Sequence, residues 1–84
     1  NVALFKTDEL EVIRLVMPTG KAMPSHAVNG DIMIHCLEGA INLTAGGQTR
    51  PMKAGQLVWL EGGVSHALEA VQDSSLLLTI VLRK

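Results

Sequence analysis

The sequence has few aromatic residues and no excess of charge of either sign. Only Phe5 and Trp59 are aromatic, 2% of 84 residues, and tyrosine is absent. Proteins that bind single-stranded nucleic acid stack the bases on aromatic side chains, so this class is poorly supported. The seven Lys and Arg residues are balanced by eight Asp and Glu residues, for a net charge of -1. Without a basic field that attracts phosphates, we expect no nucleic-acid partner.

Cysteine and long apolar segments are also scarce. The single Cys36 cannot form an internal disulfide, and no basic segment followed by an apolar one opens the chain, so we expect a cytoplasmic, reducing setting. The longest apolar stretch, residues 76–82, is interrupted by Thr79 and is far shorter than the roughly 20 residues that cross a bilayer. We therefore expect a soluble protein with no membrane partner. A hydrophobic content of 48% over 84 residues predicts one folded domain, residues 1–84.

Glycines and turn-forming residues divide the chain into short apolar segments, which is typical of all-β proteins. The run at residues 76–82 is short enough to suit a helix as well, but its Thr, Ile and Val content favours a strand. Seven or so strands with short loops predict an antiparallel sandwich or barrel. The predicted strands are 10–17, 31–37, 40–45, 48–52, 56–60, 66–71 and 75–82.

Several of these strands are apolar on both faces. Between residues 32 and 37, for example, one set of side chains alternates with a second set that is equally apolar except for His35. One face can line a barrel, whereas the other needs a cover of its own. We therefore expect the outer face of one sheet to be buried in a homodimer. Met17 and Met33 are predicted in the core, and Met23 at the rim of a pocket.

Two groups of glycines and histidines share the spacing of a known family. Gly20 is followed by five residues and His26, and Gly39 closes this first group; Gly55, Gly63 and His66 form the second. The pattern resembles the two motifs of the cupin superfamily over nearly the whole chain. The resemblance implies a small antiparallel jelly-roll β-barrel of the RmlC-like type.

Half of the metal ligands of the cupin pattern are replaced in this sequence. The family's second histidine corresponds to Val28 and its glutamate to Ile32, and neither side chain has a donor atom. His26 and His66 match the two remaining ligand positions. Glu61 and Ala70 replace a proline and an asparagine, which concerns turn geometry and strand ends more than chemistry.

Other residues are candidates for additions to this site. Strand alternation points His35 out of the barrel, although a β-bulge near Asn29 would turn it inward and give three histidines. Cys36 lies on the inward face, where a thiolate would be a soft ligand or a nucleophile, but buried cysteines are mostly inert.

Three carboxylates stand near the motif positions. Strand alternation sets Glu69 on the face opposite to His66, and Glu61 lies in a loop from which it could reach the barrel mouth, although a solvated charge is expected there. Asp31 would replace the lost glutamate only if the strand register slipped by one residue.

Two functions follow from the resemblance and the residues together. In the first, the barrel binds a small polar or anionic molecule that hydrogen-bonds to His26 and His66. The walls of that site are predicted to be Ile32, Ile34, Cys36, Trp59 and Leu68. In the second, the two histidines hold a divalent first-row metal (Fe, Mn, Ni, Cu or Zn), and the protein is a dioxygenase, isomerase or decarboxylase. The fold does not decide between these functions.

Overall fold

The computed structural model describes residues 1–82. Within these residues the chain forms nine strands arranged in two antiparallel sheets. One sheet has five strands in the order β1-β2-β9-β4-β7, and the other has four in the order β3-β8-β5-β6. The strands are β1 (Val2–Lys6), β2 (Leu10–Met17), β3 (Ala22–His26), β4 (Ile32–Glu38), β5 (Ala40–Ala45), β6 (Gln48–Lys53), β7 (Leu57–Leu60), β8 (His66–Ala70) and β9 (Ser74–Val81).

The core lies between the two sheets and is built from alternate positions of the strands. In β4, Ile32, Ile34 and Cys36 are buried, as the predicted alternation requires. The facing sheet contributes side chains at the same period of two, so the two inner faces interdigitate. This arrangement confirms the predicted small antiparallel jelly-roll barrel. The buried core comprises Leu15, Met17, Ile32, Ile34, Cys36, Ile41, Leu43, Met52, Leu68, Ala70 and Leu76.

Two strands were not predicted from the sequence, β1 and β3. Every residue of β1 is exposed, so the strand has no buried face that would give its sequence an alternation of apolar and polar side chains. β3 contains Pro24, which cannot donate a backbone hydrogen bond. A proline therefore argues against a strand when only the sequence is known. Proline is accepted there because β3 lies at the edge of its sheet.

One methionine prediction was wrong. Met17 is buried in the core as predicted, and Met23 packs against that core from β3. Met33, however, is 40% exposed and pairs with Trp59 and Thr79 on the outer face of the five-stranded sheet. The alternation that buries Ile32 and Ile34 requires Met33 to point the other way.

The two ends of the barrel differ in chemistry. At one end, β4 turns into β5 at Gly39, close to the start of β9, and we call this the Gly39 end. Nearby, Asp73 accepts hydrogen bonds from the Thr19 backbone N–H and hydroxyl, at 2.8 and 3.0 Å. These two bonds favour the carboxylate and lower the pKa of Asp73. At the other end, β3 ends and β8 begins with a histidine, and we call this the histidine end.

The outer face of the five-stranded sheet carries a group of large apolar side chains. Six of them are between 38% and 60% exposed, which is far more than core residues. We call this group the outer apolar face, and its members are Phe5, Val16, Met33, Leu37, Leu57 and Trp59. In residues 1–82, no helix is long and apolar enough to cross a membrane.

Candidate functional site

The rings of His26 and His66 lie side by side at the histidine end. Their centroids are 4.5 Å apart and the ring planes are inclined by 54°. The two residues are direct partners in the pairing of β3 with β8. His66 is 5% exposed and alternates with Leu68 and Ala70, so its ring belongs to the inner face, whereas His26 is exposed. The structure therefore brings together the two histidines that the sequence pattern singled out.

A β-bulge in β3 makes this pairing possible. Met23 pairs with Leu68 and His26 pairs with His66, so three residues of β3 span two residues of β8. Without the irregularity, residues three apart on a strand would point to opposite faces. The extra residue lets Met23 pack against the core and His26 lie against His66 on one face.

The Nδ1 atom of each histidine is hydrogen-bonded to a nearby backbone carbonyl. Nδ1 of His66 lies 3.1 Å from the Val64 oxygen, and Nδ1 of His26 lies 3.3 Å from the Pro24 oxygen. Because a carbonyl oxygen only accepts, the hydrogen is on Nδ1 in both contacts. Nε2 is then an acceptor on a neutral ring and a donor on a protonated one. The pair thus presents two Nε2 atoms that these backbone carbonyls do not use.

The inner face of the four-stranded sheet continues from the histidines to two further polar residues. Ala45 pairs with His66 on one side and with Gln48 on the other, so all three lie in one row across the strands. Arg50 follows Gln48 on the same face, and its Nη2 donates a 3.0 Å hydrogen bond to Gln48 Oε1. Sequence reasoning missed Gln48 and Arg50. Their positions two and four residues before the buried Met52 were the available signal.

The predicted wall residues fall into two groups. Ile32, Ile34 and Leu68 lie in the core beneath the histidine end and form its apolar floor. Cys36 is fully buried four residues farther along β4 than Ile32, which places it about 13 Å away toward the Gly39 end. Burial raises the pKa of the Cys36 thiol, so it remains neutral and inert. The structure does not bring Cys36 to the histidines.

Trp59 also lies apart from the other predicted wall residues. It is 59% exposed and pairs with Met33, whose side chain points outward. Leu60 and Val58, its neighbours along β7, are the residues of this strand that pack against the core. The indole therefore belongs to the outer apolar face, while Trp59 also borders a cavity beside β6.

The remaining polar candidates lie outside the histidine pair. His35 pairs with Leu57 and Leu77 on the outer face, where the regular register of β4 places it. Asp31 Oδ1 accepts a 2.9 Å hydrogen bond from the Gly62 backbone and holds the loop before β8. Glu61 is an exposed loop residue, and Glu69 is exposed on the strand face opposite to His66.

The residues at this site do not fit the metal of the cupin pattern. A first-row divalent ion is bound by several imidazole nitrogens and carboxylates together. His26 and His66 supply two nitrogens, while Val28 and Ile32 supply no donor. Across residues 1–82, no group of three His, Cys, Asp or Glu side chains could hold a metal ion. We therefore assign no reaction step to a metal.

Comparison with known families agrees with the barrel. The family model described as "Cupin domain" matches residues 13–82. The chain belongs to the cupin family. The match includes both histidines and both substituted positions, Val28 and Ile32. This cupin domain therefore has the barrel of its family, with apolar side chains at residues 28 and 32.

Solved structures with the same fold cover nearly the whole chain. A conserved protein of unknown function from Streptococcus pyogenes is 27% identical, with a TM-score of 0.91 over 98% of this chain and 72% of that one. A cupin superfamily protein from Desulfitobacterium hafniense has a TM-score of 0.94 at 16% identity, covering 98% and 75%. KdgF from Halomonas sp. has a TM-score of 0.91 at 18% identity, covering 99% and 77%. The last two likenesses show the fold alone, and a search of curated proteins found no match.

Proposed function

We propose that this cupin domain binds a small polar or anionic molecule at the histidine end of its barrel, through the imidazoles of His26 and His66. The observation that carries the proposal is the pair of rings, 4.5 Å apart, above an apolar floor. Apolar surroundings with a few convergent polar groups are typical of small-molecule sites.

The hydrogen-bonding state of the rings indicates what such a molecule offers. Both Nδ1 atoms are used by backbone carbonyls, so the ligand contacts Nε2. On an imidazole whose hydrogen is on Nδ1, Nε2 accepts a hydrogen bond, and on a ring with hydrogens on both nitrogens Nε2 donates one. A hydroxyl group of the ligand can donate to Nε2 or accept from it, so it suits either form of the ring. Hydroxy acids are therefore the first class to test.

A thermal-shift screen tests the proposal with small hydroxy acids, dicarboxylates and polyols. A ligand present at about ten times its Kd stabilises the folded protein by about 1.4 kcal/mol. For a domain of this size, the melting temperature then rises by about 5–10 °C. We expect His66→Asn to remove the shift, because the asparagine amide still donates toward Val64 but nothing replaces Nε2.

The matched control is His35→Asn, which changes a histidine on the outer face. This variant should keep the full shift. If His26→Asn and His66→Asn both keep the wild-type shift, the two imidazoles do not bind the ligand. If no member of the panel stabilises the wild-type protein, small polar and anionic molecules of these classes are not its ligands.

We also propose that the domain forms a homodimer through the outer apolar face. A large side chain has on the order of 150 Å² of surface, so six that are half exposed present roughly 450 Å². Stable interfaces bury about 800 Å² per partner, so this face supplies more than half of that area. A second copy is the natural occupant, because a two-fold interface lets one apolar patch cover an identical one.

Size-exclusion chromatography with light scattering measures the assembly. We expect twice the chain mass of 9.0 kDa at micromolar concentration. Replacing Leu57 and Trp59 with glutamate places two charges in the contact and should give monomers. Thr49→Glu, on the outer face of the other sheet, is the control and should leave the dimer intact. A wild-type protein that elutes at 9.0 kDa contradicts the proposal.

We further propose that this cupin domain works in the cytoplasm. Its single cysteine, Cys36, is free and buried, so the fold uses no disulfide among residues 1–82. A reducing compartment suits such a domain.

A further inference from the structure

A cavity lies between the sheets at the histidine end, next to the row formed by His66, Ala45 and Gln48. Its volume is about 190 Å³. The floor on one side is the inner face of β5 and β6, and the opposite wall is β7. The residues that line it are Leu43, Ala45, Gln48, Arg50, Val58, Trp59 and Leu60.

Arg50 and Gln48 belong to the inner face of β6. Met52 is buried in the core, and residues 50 and 48 follow it at intervals of two in a strand whose pairing with β5 is regular. Their partners across the ladder are Leu43 and Ala45, which also line the cavity. A guanidinium group therefore borders a cavity whose remaining walls are largely apolar.

Arg50 is the charged residue of this lining, and none of the lining residues is acidic. Among the contacts of residues 1–82, its side chain donates from Nη2 to Gln48 Oε1 at 3.0 Å. The guanidinium group has five N–H donors in a planar fork, so four remain for another acceptor. Arg50 and Gln48 are both exposed, so the rest of the fork is accessible to a ligand from solvent.

The size and walls of the cavity restrict the anion. With about 30 Å³ for each water in the liquid, the cavity corresponds to roughly six water molecules, below the 300 Å³ or more of drug-sized sites. Val58, Leu60 and Leu43 would contact the body of the ligand, and apolar surface is unfavourable for any group that remains charged. The charge of the ligand is therefore confined to the end that faces Arg50.

We propose that Arg50 recognises the carboxylate of a small organic acid with an apolar body, bound in this cavity. A carboxylate matches the guanidinium fork with two parallel hydrogen bonds, and the short alkyl part lies against Val58 and Leu60. Ala45 joins this cavity to His66, its partner in β8. The inference rests on the proposed function and assigns the acid end of the ligand to a residue outside the histidine pair.

Titration of the ¹⁵N-labelled protein with butanoate tests the assignment. We expect saturable shift changes at the cavity residues, including Ala45 and Leu60. Arg50→Gln keeps an amide beside Gln48 but removes the charge and the fork, and should raise the Kd at least about 10-fold. Arg50→Lys keeps the charge without the fork, so its Kd should lie between those of the wild type and Arg50→Gln. Arg14→Gln changes an exposed arginine of the other sheet and should leave the Kd unchanged.

Two further probes define the ligand class. Butanamide has nearly the shape of butanoate without its charge, and it should bind at least about 10-fold more weakly. Inorganic phosphate is an anion without an apolar body, and it should also bind more weakly than butanoate. Equal binding of the amide, or tighter binding of phosphate, overturns the proposal.

The same titration with His66→Asn separates the role of Arg50 from that of the histidines. If Arg50→Gln leaves the Kd unchanged while His66→Asn raises it, the assignment to Arg50 is wrong and the histidine site stands. If Arg50→Gln raises the Kd for butanoate while the histidine variants do not, Arg50 is the recognition residue, and the thermal-shift screen with hydroxy acids then decides the role of the histidines. Absence of saturable binding by butanoate overturns the Arg50 assignment directly.

Discussion

Replacing Gly39 with alanine is expected to lower the free energy of unfolding by about 3 kcal/mol. Gly39 turns β4 into β5 with a φ of +85°, in the left-handed region that side chains other than glycine rarely adopt. A Cβ at this position would also overlap the Asp73 carbonyl oxygen, and it would lie 2.9 Å from the Ser74 Cα. These are backbone atoms, so the start of β9 would have to move.

Gly20→Ala separates the two causes. Gly20 has nearly the same φ, +84°, but a Cβ there would meet no atom within 4 Å. This variant should lose only the conformational part, about 1–2 kcal/mol. Urea unfolding followed by circular dichroism measures both variants, with the same m-value expected for each. Equal losses for the two variants would show that the close approach at Gly39 costs nothing.

Restoring the missing donors is expected to create a metal site. Val28→His combined with Ile32→Glu adds an imidazole and a carboxylate at the positions where the cupin pattern has them. Affinity for a divalent first-row ion should rise by on the order of 100-fold or more, since even outer-shell partners of metal ligands change it by about 10–100-fold. Ile32 opens β4 at the histidine end, and Val28 packs against the core in the preceding loop, so both lie where the histidines are.

Isothermal titration with Mn²⁺ or Ni²⁺ measures this gain. The control is Val28→Asn with Ile32→Gln, which introduces polar side chains of similar size but much poorer ligands for these ions. A gain in the His and Glu variant alone supports the motif alignment over residues 26–32. If both double variants bind metal as weakly as the wild type, the positions assigned to Val28 and Ile32 in the motif are wrong.

Much of the fold follows from short-range patterns in the sequence. Strand β4 alternates buried and exposed side chains, and glycine turns bound the short segments, so its inward face was predicted correctly from residues 32, 34 and 36. The spacing of the two motifs also singled out His26 and His66 as the pair that faces one site. Such signals are local because strand alternation and turn geometry depend on residues near one another in the chain.

The sequence by itself determined the all-β class, most of the strands, the cupin resemblance and the absence of donor atoms at residues 28 and 32. Only the tertiary structure decided that a bulge in β3 turns His26 toward His66, that Trp59 faces outward, and that Arg50 borders a cavity. The sequence also predicted Cys36 near the site, because its side chain faces inward. In the structure, Cys36 and the histidines lie at opposite ends of the barrel. These outcomes depend on register and on pairing between strands distant in sequence, where a shift of one residue reverses the face of every side chain.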